Sequence, residues 1–329
     1  MGPSWVGDMV MADSLFQHLQ ASGNCVDVLA PGWSLPVLER MPSVHRGIEL
    51  AVGHGELGLR KRRELGKALR REAYDRAIVL PRSLKSALVP YFANIPVRTG
   101  FRGEMRFGLI NDIRPFDKRV LNQTVKRFAA LGLNEGQALG AELPNPVLRV
   151  EPASLQAARE RLNLPPAARQ VVLLPGAEYG PAKCWPLEYF RDLAQTLLQQ
   201  EAEVWVMGSA KDHAAGEAIC EATRARNLCG ETSLADAIDL LSACDTVVSN
   251  DSGLMHIAAA VGAPLIGLYG STTPDFTPPL TDQARTIHLG VECSPCFERE
   301  CPLEHFRCMR ELTVDRVLSE IQVLTVAKT

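Results

Sequence analysis

Several large function classes are excluded by what this chain does not contain. No stretch reaches the roughly 18 uninterrupted apolar residues of a membrane span, and the first twenty residues lack the basic-then-apolar pattern of a secretory leader. A cytoplasmic protein is expected. Positive charge is not in excess: 35 Lys and Arg stand against 38 Asp and Glu, a formal net charge of −3. That argues against general nucleic-acid binding, which leaves a basic surplus over a whole domain. Neither half places G-x-G-x-x-G behind its first strand with an acidic residue about twenty positions later, and G-x-x-x-x-G-K-S/T is absent. The usual dinucleotide and P-loop chemistries are thereby set aside. No D-x-D motif stands out, so no metal or other cofactor is expected for the reaction. The nine cysteines are an odd number in a long chain, which favours free thiols or a metal site over a disulfide framework.

What is present is an alternation of short β-branched runs with longer amphipathic stretches over 329 residues, a length that suggests about two domains. In the first half Val26 to Gly32, Arg76 to Ser83 and Pro96 to Phe101 read as strands or strand ends. Gly7 to Ala21 and Leu57 to Glu72 read as helices. Between Leu143 and Gln170 five prolines surround one short helical pattern, and this stretch reads as the interdomain linker. The rhythm resumes with QVVLLPG, AEVWVMGS, DTVVSND and PLIGLYG, each followed by a helix or a loop. A doubly wound parallel α/β architecture is expected, with its loops gathered at the strand C-termini. The expected parts are residues 1–150, residues 151–312 and a closing helix within 313–329. The glycine-bounded loop at residues 2–7 should follow a strand of about six residues. A central strand of the first sheet is therefore expected to be missing, through a start placed too late or a shortened chain.

Chemistry concentrates at the strand ends of the second half. At Asp251, Ser252 and Gly253 a strand stops and a helix begins, presenting free backbone N–H groups and the positive end of a dipole. Ser252 adds a hydroxyl, Gly253 allows close approach to the backbone, and His256 lies one turn further on. The set fits a pyrophosphate; taken singly, Asp251 or Ser252 fits a helix cap equally well, and His256 a satisfied buried residue. The loop PGAEYGPAKCWP ends the first strand of this half and carries Lys183, a point charge suited to a diphosphate or else a surface lysine. Trp185 reads as packing, and Pro186 suits a first helical turn. The loop MGSAKDH, with Ser209 and Lys211, and the loop NLCGETSL would complete a nucleoside pocket.

In the first half Asp8 reads as the first residue or cap of a helix, either a plain N-cap or a candidate general base. Arg82, Lys85, Arg98, Arg102 and Arg106 cluster near strand ends and suit an acceptor bearing carboxylates or phosphates; each alone also reads as a solvated charge. The run Leu59 to Leu65, with Lys67, Arg70 and Arg71 beyond it, is either one solvated helix face or a contact with anionic lipid. Cys293, Cys296, Cys301 and Cys308 fall within sixteen residues. Four thiolates there could close a structural zinc or iron site, although the spacing is not that of paired knuckles and buried thiols also serve as small apolar residues.

Seven segments in this order carry a resemblance: GPSWVGDMVM, LPRSLKSALVP, RTGFRGEMRFGLIND, LPGAEYGPAKCWP, GSAKDH, NDSGLMHIAAA and TPDFTPPL. They cover nearly the whole chain, which resembles the ADP-heptose:lipopolysaccharide heptosyltransferases, glycosyltransferase family 9. The resemblance implies a GT-B architecture, two Rossmann-like domains facing across a cleft, with the closing helix packed back on the first. It implies an inverting transfer of heptose from ADP-L-glycero-β-D-manno-heptose to the first heptose of the lipopolysaccharide inner core, on a heptosyl-Kdo2-lipid A acceptor. It also implies Asp8 as base, with Lys183, Asp251, Ser252, Gly253 and His256 on the donor. The cysteine segment is similar to cysteine-bearing tails in the family, with no role implied. A nucleotide-sugar epimerase of the same architecture, or a non-catalytic nucleotide-sugar-binding protein, would use the same loops.

Overall fold

The computed structural model describes residues 1–326 apart from 54, 135, 141, 166 and 167. The chain divides into two units, Met1–Asn145 and Pro146–Thr329. Every strand pairing in both is parallel, as the alternation of strands and helices requires.

In the first unit β1 (Asp27–Ala30) pairs with β2 (Arg46–Glu49), and β3 (Arg76–Ile78), β4 (Val97–Phe101) and β5 (Asp112–Arg114) form a second group. Met1 and Gly2 join the two. The Met1 ammonium donates to the Ile78 carbonyl at 2.9 Å, Leu80 N–H donates to the Met1 carbonyl, and Gly2 N–H donates to Leu29 on the other side. These two residues thus stand at the central position of a doubly wound sheet. The helix Val6–Ala21 follows, with Met9, Met11 and Leu15 fully buried. Gly132, on the helix Thr124–Gly132, has no room for a side chain, because a Cβ there would meet Leu15 at 2.5 Å.

The second unit is a six-stranded sheet built from β6 (Gln170–Leu174), β7 (Glu203–Val206), β8 (Arg226–Asn227), β9 (Thr246–Asn250), β10 (Leu265–Tyr269) and β11 (Ala284–His288). Their spatial order is β11-β10-β9-β6-β7-β8. All residues of β6, β9 and β10 are buried, which is why these strands read as unbroken apolar runs and not as an alternation. After Pro186 presets the backbone, the helix Leu187–Gln199 buries Phe190, Leu193, Ala194 and Leu197, an i, i+3, i+4, i+7 stripe. Trp185 is a packing residue as expected: it is buried, donates its indole N–H to Leu312 at 2.7 Å, and meets Phe190 edge-on.

One expectation is corrected here. The closing helix Val314–Val326 puts Val317 and Ile321 into the core of the second unit, beside Phe190, Ile266 and Ile287. Its apolar face is used by the nearest core along the chain.

Candidate active site

The chain crosses over between β6 and β9, so the order of strands reverses there. In an open parallel sheet ligands bind outside the carboxyl ends of the strands at such a switch point. The two loops that leave it are 175–186 and 251–253, the ones singled out by their residues.

Asn250, the last residue of β9, ties them together. Its side chain accepts from Trp185 N–H at 3.1 Å and donates to the Pro175 carbonyl at 2.7 Å. Next to it Lys183 Nζ lies 2.6 Å from Asp251 Oδ2, and Thr272 donates its hydroxyl to the same oxygen at 2.7 Å. Their side chains are 13% and 4% exposed. Such a pair is costly to bury unless its remaining polar groups are satisfied, which Thr272 does in part. The Lys183 ammonium also lies 5.1 Å from the centre of the Tyr179 ring. Asp251, expected as a direct donor contact, is therefore first a partner of Lys183. Lysine carries three donors, so one held by Asp251 leaves others for a diphosphate oxygen. Ser252 is the N-cap of the helix Gly253–Ala260, accepting from Met255 N–H at 3.3 Å, and Gly253 is that helix's first residue. The helix-cap reading holds for Ser252, whose hydroxyl also lies 3.3 Å from Ser249 Oγ.

His256 is 4% exposed, and its pKa is lowered to about 4 by burial above all; Asp251 raises it and Lys183 lowers it. The imidazole is thus neutral near pH 7 and offers a hydrogen bond, not a positive charge. A consequence for stability follows. Between about pH 6.5 and 4 the unfolded chain binds the proton and the folded chain does not, so stability is complete above that window and falls as pH drops through it. The loss is at most roughly 3 kcal/mol. His256→Gln is expected to flatten this part of the stability curve; parallel melting curves of variant and parent between pH 7 and pH 4 would contradict it.

Ser209 and Lys211 are less available than expected. Ser209 caps the short turn Ala210–Asp212 in a capping box with Asp212, and exposed Lys211 pairs with Glu178. The sequence reading missed Asp212 and Thr272. Asp212 packs so closely on the strand ends that a Cβ at Gly176 or Gly208 would meet it at 2.8 Å. The paired glycines, each directly after a strand, are the signal that could have marked it. A cavity of about 480 Å³ lined by Gly176, Trp185 and Asp212 lies against this loop and includes none of Lys183, Ser252 or His256. The hydrogen-bonded cluster therefore marks the site better than this hollow.

In the first unit Asp8 is the third residue of its helix and half-buried in the first turn; the N-cap is Trp5, so the expected cap is not Asp8. Among the five basic residues two are corrected. Arg106 is 4% exposed, gives its guanidinium to the carbonyls of Pro81 and Phe101 at 2.7 and 2.6 Å, and burial lowers its pKa. Arg98 donates to Leu109, Ile95 and Gly108. Both bind loops to the sheet because their forks match backbone carbonyls. Arg82 and Arg102 are exposed and Lys85 half-exposed; the guanidiniums of Arg82 and Arg102 lie over Phe116 and Phe107, respectively. In the basic run, Arg62 is buried and donates to Leu57, while Arg60, Lys61, Arg63 and Lys67 are exposed. The spacing G-x-G-x-x-G does occur at residues 53–58, after β2 and not after a first strand.

Cys293, Cys296, Cys301 and Cys308 are free thiols lining one small cavity with His305. Among the described residues only Cys25, Asp27 and His45 bring three candidate ligand atoms within 4.8 Å of one another. There Asp27 also accepts from Arg46 and Tyr74, and the guanidinium opposes a cation. No described helix is long and apolar enough to cross a membrane.

A parallel α/β chain with a lysine, a capped helix start and a buried imidazole at its switch point fits the class of GT-B glycosyltransferases. The family model described as glycosyltransferase family 9 (heptosyltransferase) matches residues 62–307, and the chain belongs to this family. It is 44% identical over 337 aligned residues to lipopolysaccharide heptosyltransferase 2 of Escherichia coli, covering 98% of this chain and 97% of that one. It is 47% identical to lipooligosaccharide heptosyltransferase 2 of Haemophilus influenzae, over 88% and 87% of the two chains. The solved structure of Escherichia coli ADP-heptose lipopolysaccharide heptosyltransferase II matches with a TM-score of 0.88 at 43% identity, covering 99% of this chain and 98% of that one. The chain is thus a glycosyltransferase of GT-B fold.

Proposed function

We propose that the enzyme transfers L-glycero-D-manno-heptose with inversion from ADP-heptose to the first heptose of the lipopolysaccharide inner core. The observation that carries this reading is the Lys183–Asp251 pair beside the Ser252-capped helix start at the switch point, in a chain similar over its length to heptosyltransferase 2. Asp8 takes the proton of the acceptor hydroxyl as that oxygen attacks the anomeric carbon. The bond from that carbon to the diphosphate breaks, and the leaving ADP gathers negative charge. Lys183, the N–H groups at Gly253 and the neutral His256 stabilise that charge where they already stand, which is the source of their catalytic value. No step of the transfer proposed here runs through a metal.

Arg82, Lys85 and Arg102 bind the anionic groups of the acceptor, and the exposed basic face of the helix Leu59–Leu69 rests on anionic lipid at the cytoplasmic side of the inner membrane. The test is ADP release from ADP-heptose with and without a core truncated after its first heptose. Acceptor-dependent release supports the transferase; donor turnover without acceptor would support an epimerase, and tight binding without turnover a binding protein. Arg102→Ala is expected to raise the acceptor KM several-fold, about 1 kcal/mol for an exposed charge-assisted contact, with ADP affinity unchanged. An unchanged acceptor KM would remove Arg102 from the acceptor site.

A further inference from the structure

The side chains gathered at the switch point balance their own charge. The Lys183 ammonium is matched by the Asp251 carboxylate 2.6 Å away, and the buried His256 is neutral near pH 7. Lys211, expected beside them, gives its charge to Glu178. A diphosphate is anionic when bound and gathers more charge as it leaves. Such a cluster meets it with hydrogen bonds and a helix dipole but without surplus positive charge.

A further cation stands at the same place. The Arg299 guanidinium lies 5.3 Å from the centre of the Tyr179 ring, and the Lys183 ammonium lies 5.1 Å from the same centre. Arg299 is exposed, as are its neighbours Glu298 and Glu300, and among the described residues its guanidinium makes no ion pair and no hydrogen bond. An aromatic face attracts an exposed cation only weakly, and it leaves the five N–H donors of the fork available.

The backbone at Arg299 is fixed although its side chain is exposed. Its carbonyl accepts from Ala182 N–H at 3.0 Å, and a Cβ at Gly180 would lie 2.4 Å from that oxygen. The Tyr179 hydroxyl donates to the Phe297 carbonyl at 2.6 Å, which holds the ring against the same segment. On the other side Phe297 N–H donates to the Ser271 carbonyl at 2.7 Å, and the Ser294 hydroxyl to the Gly270 carbonyl at 2.6 Å. The segment is thereby docked on the turn that carries Lys183 and on the turn that carries Thr272, the two partners of Asp251.

We propose that Arg299 is a further donor-binding residue, whose guanidinium reaches from the Tyr179 ring to the diphosphate held by Lys183 and supplies the positive charge that the Lys183–Asp251 pair does not. The inference rests on the donor reading above. The planar fork can take two phosphoryl oxygens at once, and it keeps its proton throughout the transfer.

The test compares ADP with adenosine, which share the nucleoside and differ in the diphosphate. Arg299→Met keeps an unbranched apolar stem over Tyr179 and loses the charge. It is expected to weaken ADP binding about five- to tenfold, the scale of a partly exposed charge-assisted contact, with adenosine affinity and melting temperature unchanged. The difference from the parent should narrow as salt is added, and Arg299→Lys should recover most of the lost affinity. The double variant Lys183→Met with Asp251→Asn serves as the reference for the donor site. ADP affinity lost in that variant but intact in Arg299→Met overturns the role of Arg299 alone. An equal loss for adenosine and ADP in Arg299→Met overturns it too, because the residue would then only shape the loop. A raised acceptor KM with ADP affinity unmoved would assign Arg299 to an anionic group of the acceptor and overturn the proposal. ADP affinity unmoved in both variants overturns the donor reading itself.

Discussion

Replacing Lys183 by methionine is expected to reduce heptosyl turnover about 10²–10³-fold, the usual cost of removing one preorganised donor from developing negative charge, and to destabilise the fold. The two effects have different origins. Asp251 is 4% exposed, and without the ammonium its carboxylate keeps Thr272 as a partner but loses its counter-charge. Breaking a buried pair from one side typically costs about 3–5 kcal/mol, an upper figure here because Lys183 keeps 13% of its side chain in solvent. The double variant Lys183→Met with Asp251→Asn removes the stranded charge. It should recover most of the melting temperature and none of the turnover. Recovery of both would make Lys183 a structural residue and take the diphosphate away from this loop.

Asp8→Ala is expected to lower turnover by about 10²–10⁴, the range of a positioned general base, with ADP affinity close to that of the parent. Asp8 sits in the first turn of the helix Val6–Ala21, between buried Gly7 and Met9. Its backbone is therefore held by packing on both sides. It is not the cap, so its replacement does not remove the N-terminal stop that caps usually provide. Asp8→Asn keeps the shape and loses the basicity, and should be nearly as impaired as the alanine variant. Steady-state turnover at saturating donor, together with calorimetric ADP binding, separates the outcomes. Full turnover in Asp8→Asn would end the proposal that this carboxylate takes the proton, and a matching loss of ADP affinity would assign it to donor binding.

Much of the fold was legible because buried parallel strands announce themselves. β6, β9 and β10 are unbroken apolar runs, and Phe190, Leu193, Ala194 and Leu197 repeat at helical spacing. The strands β2, β5 and β8 were not, since Arg46–Glu49, Asp112–Arg114 and Arg226–Asn227 are short and half-exposed and form by pairing with a neighbour already in place. The closing helix was read correctly as a helix and assigned to the wrong unit, because an amphipathic face says that it must be covered and not by what.

The sequence by itself determined the parallel α/β rhythm, the two loops at the switch point, the capped helix start and the four clustered thiols, because each is a local pattern of a few adjacent residues. Tertiary structure alone decided which charges are available for chemistry. Lys183 and Asp251 are 68 positions apart and become an ion pair only when β6 and β9 lie side by side. Arg106 reaches back 25 positions to the Pro81 carbonyl and ceases to be a surface charge, and His256 becomes a neutral donor once the core closes over it. A side chain's type sets what it can donate or accept; the partners and the dielectric that folding brings to it set what remains to be used.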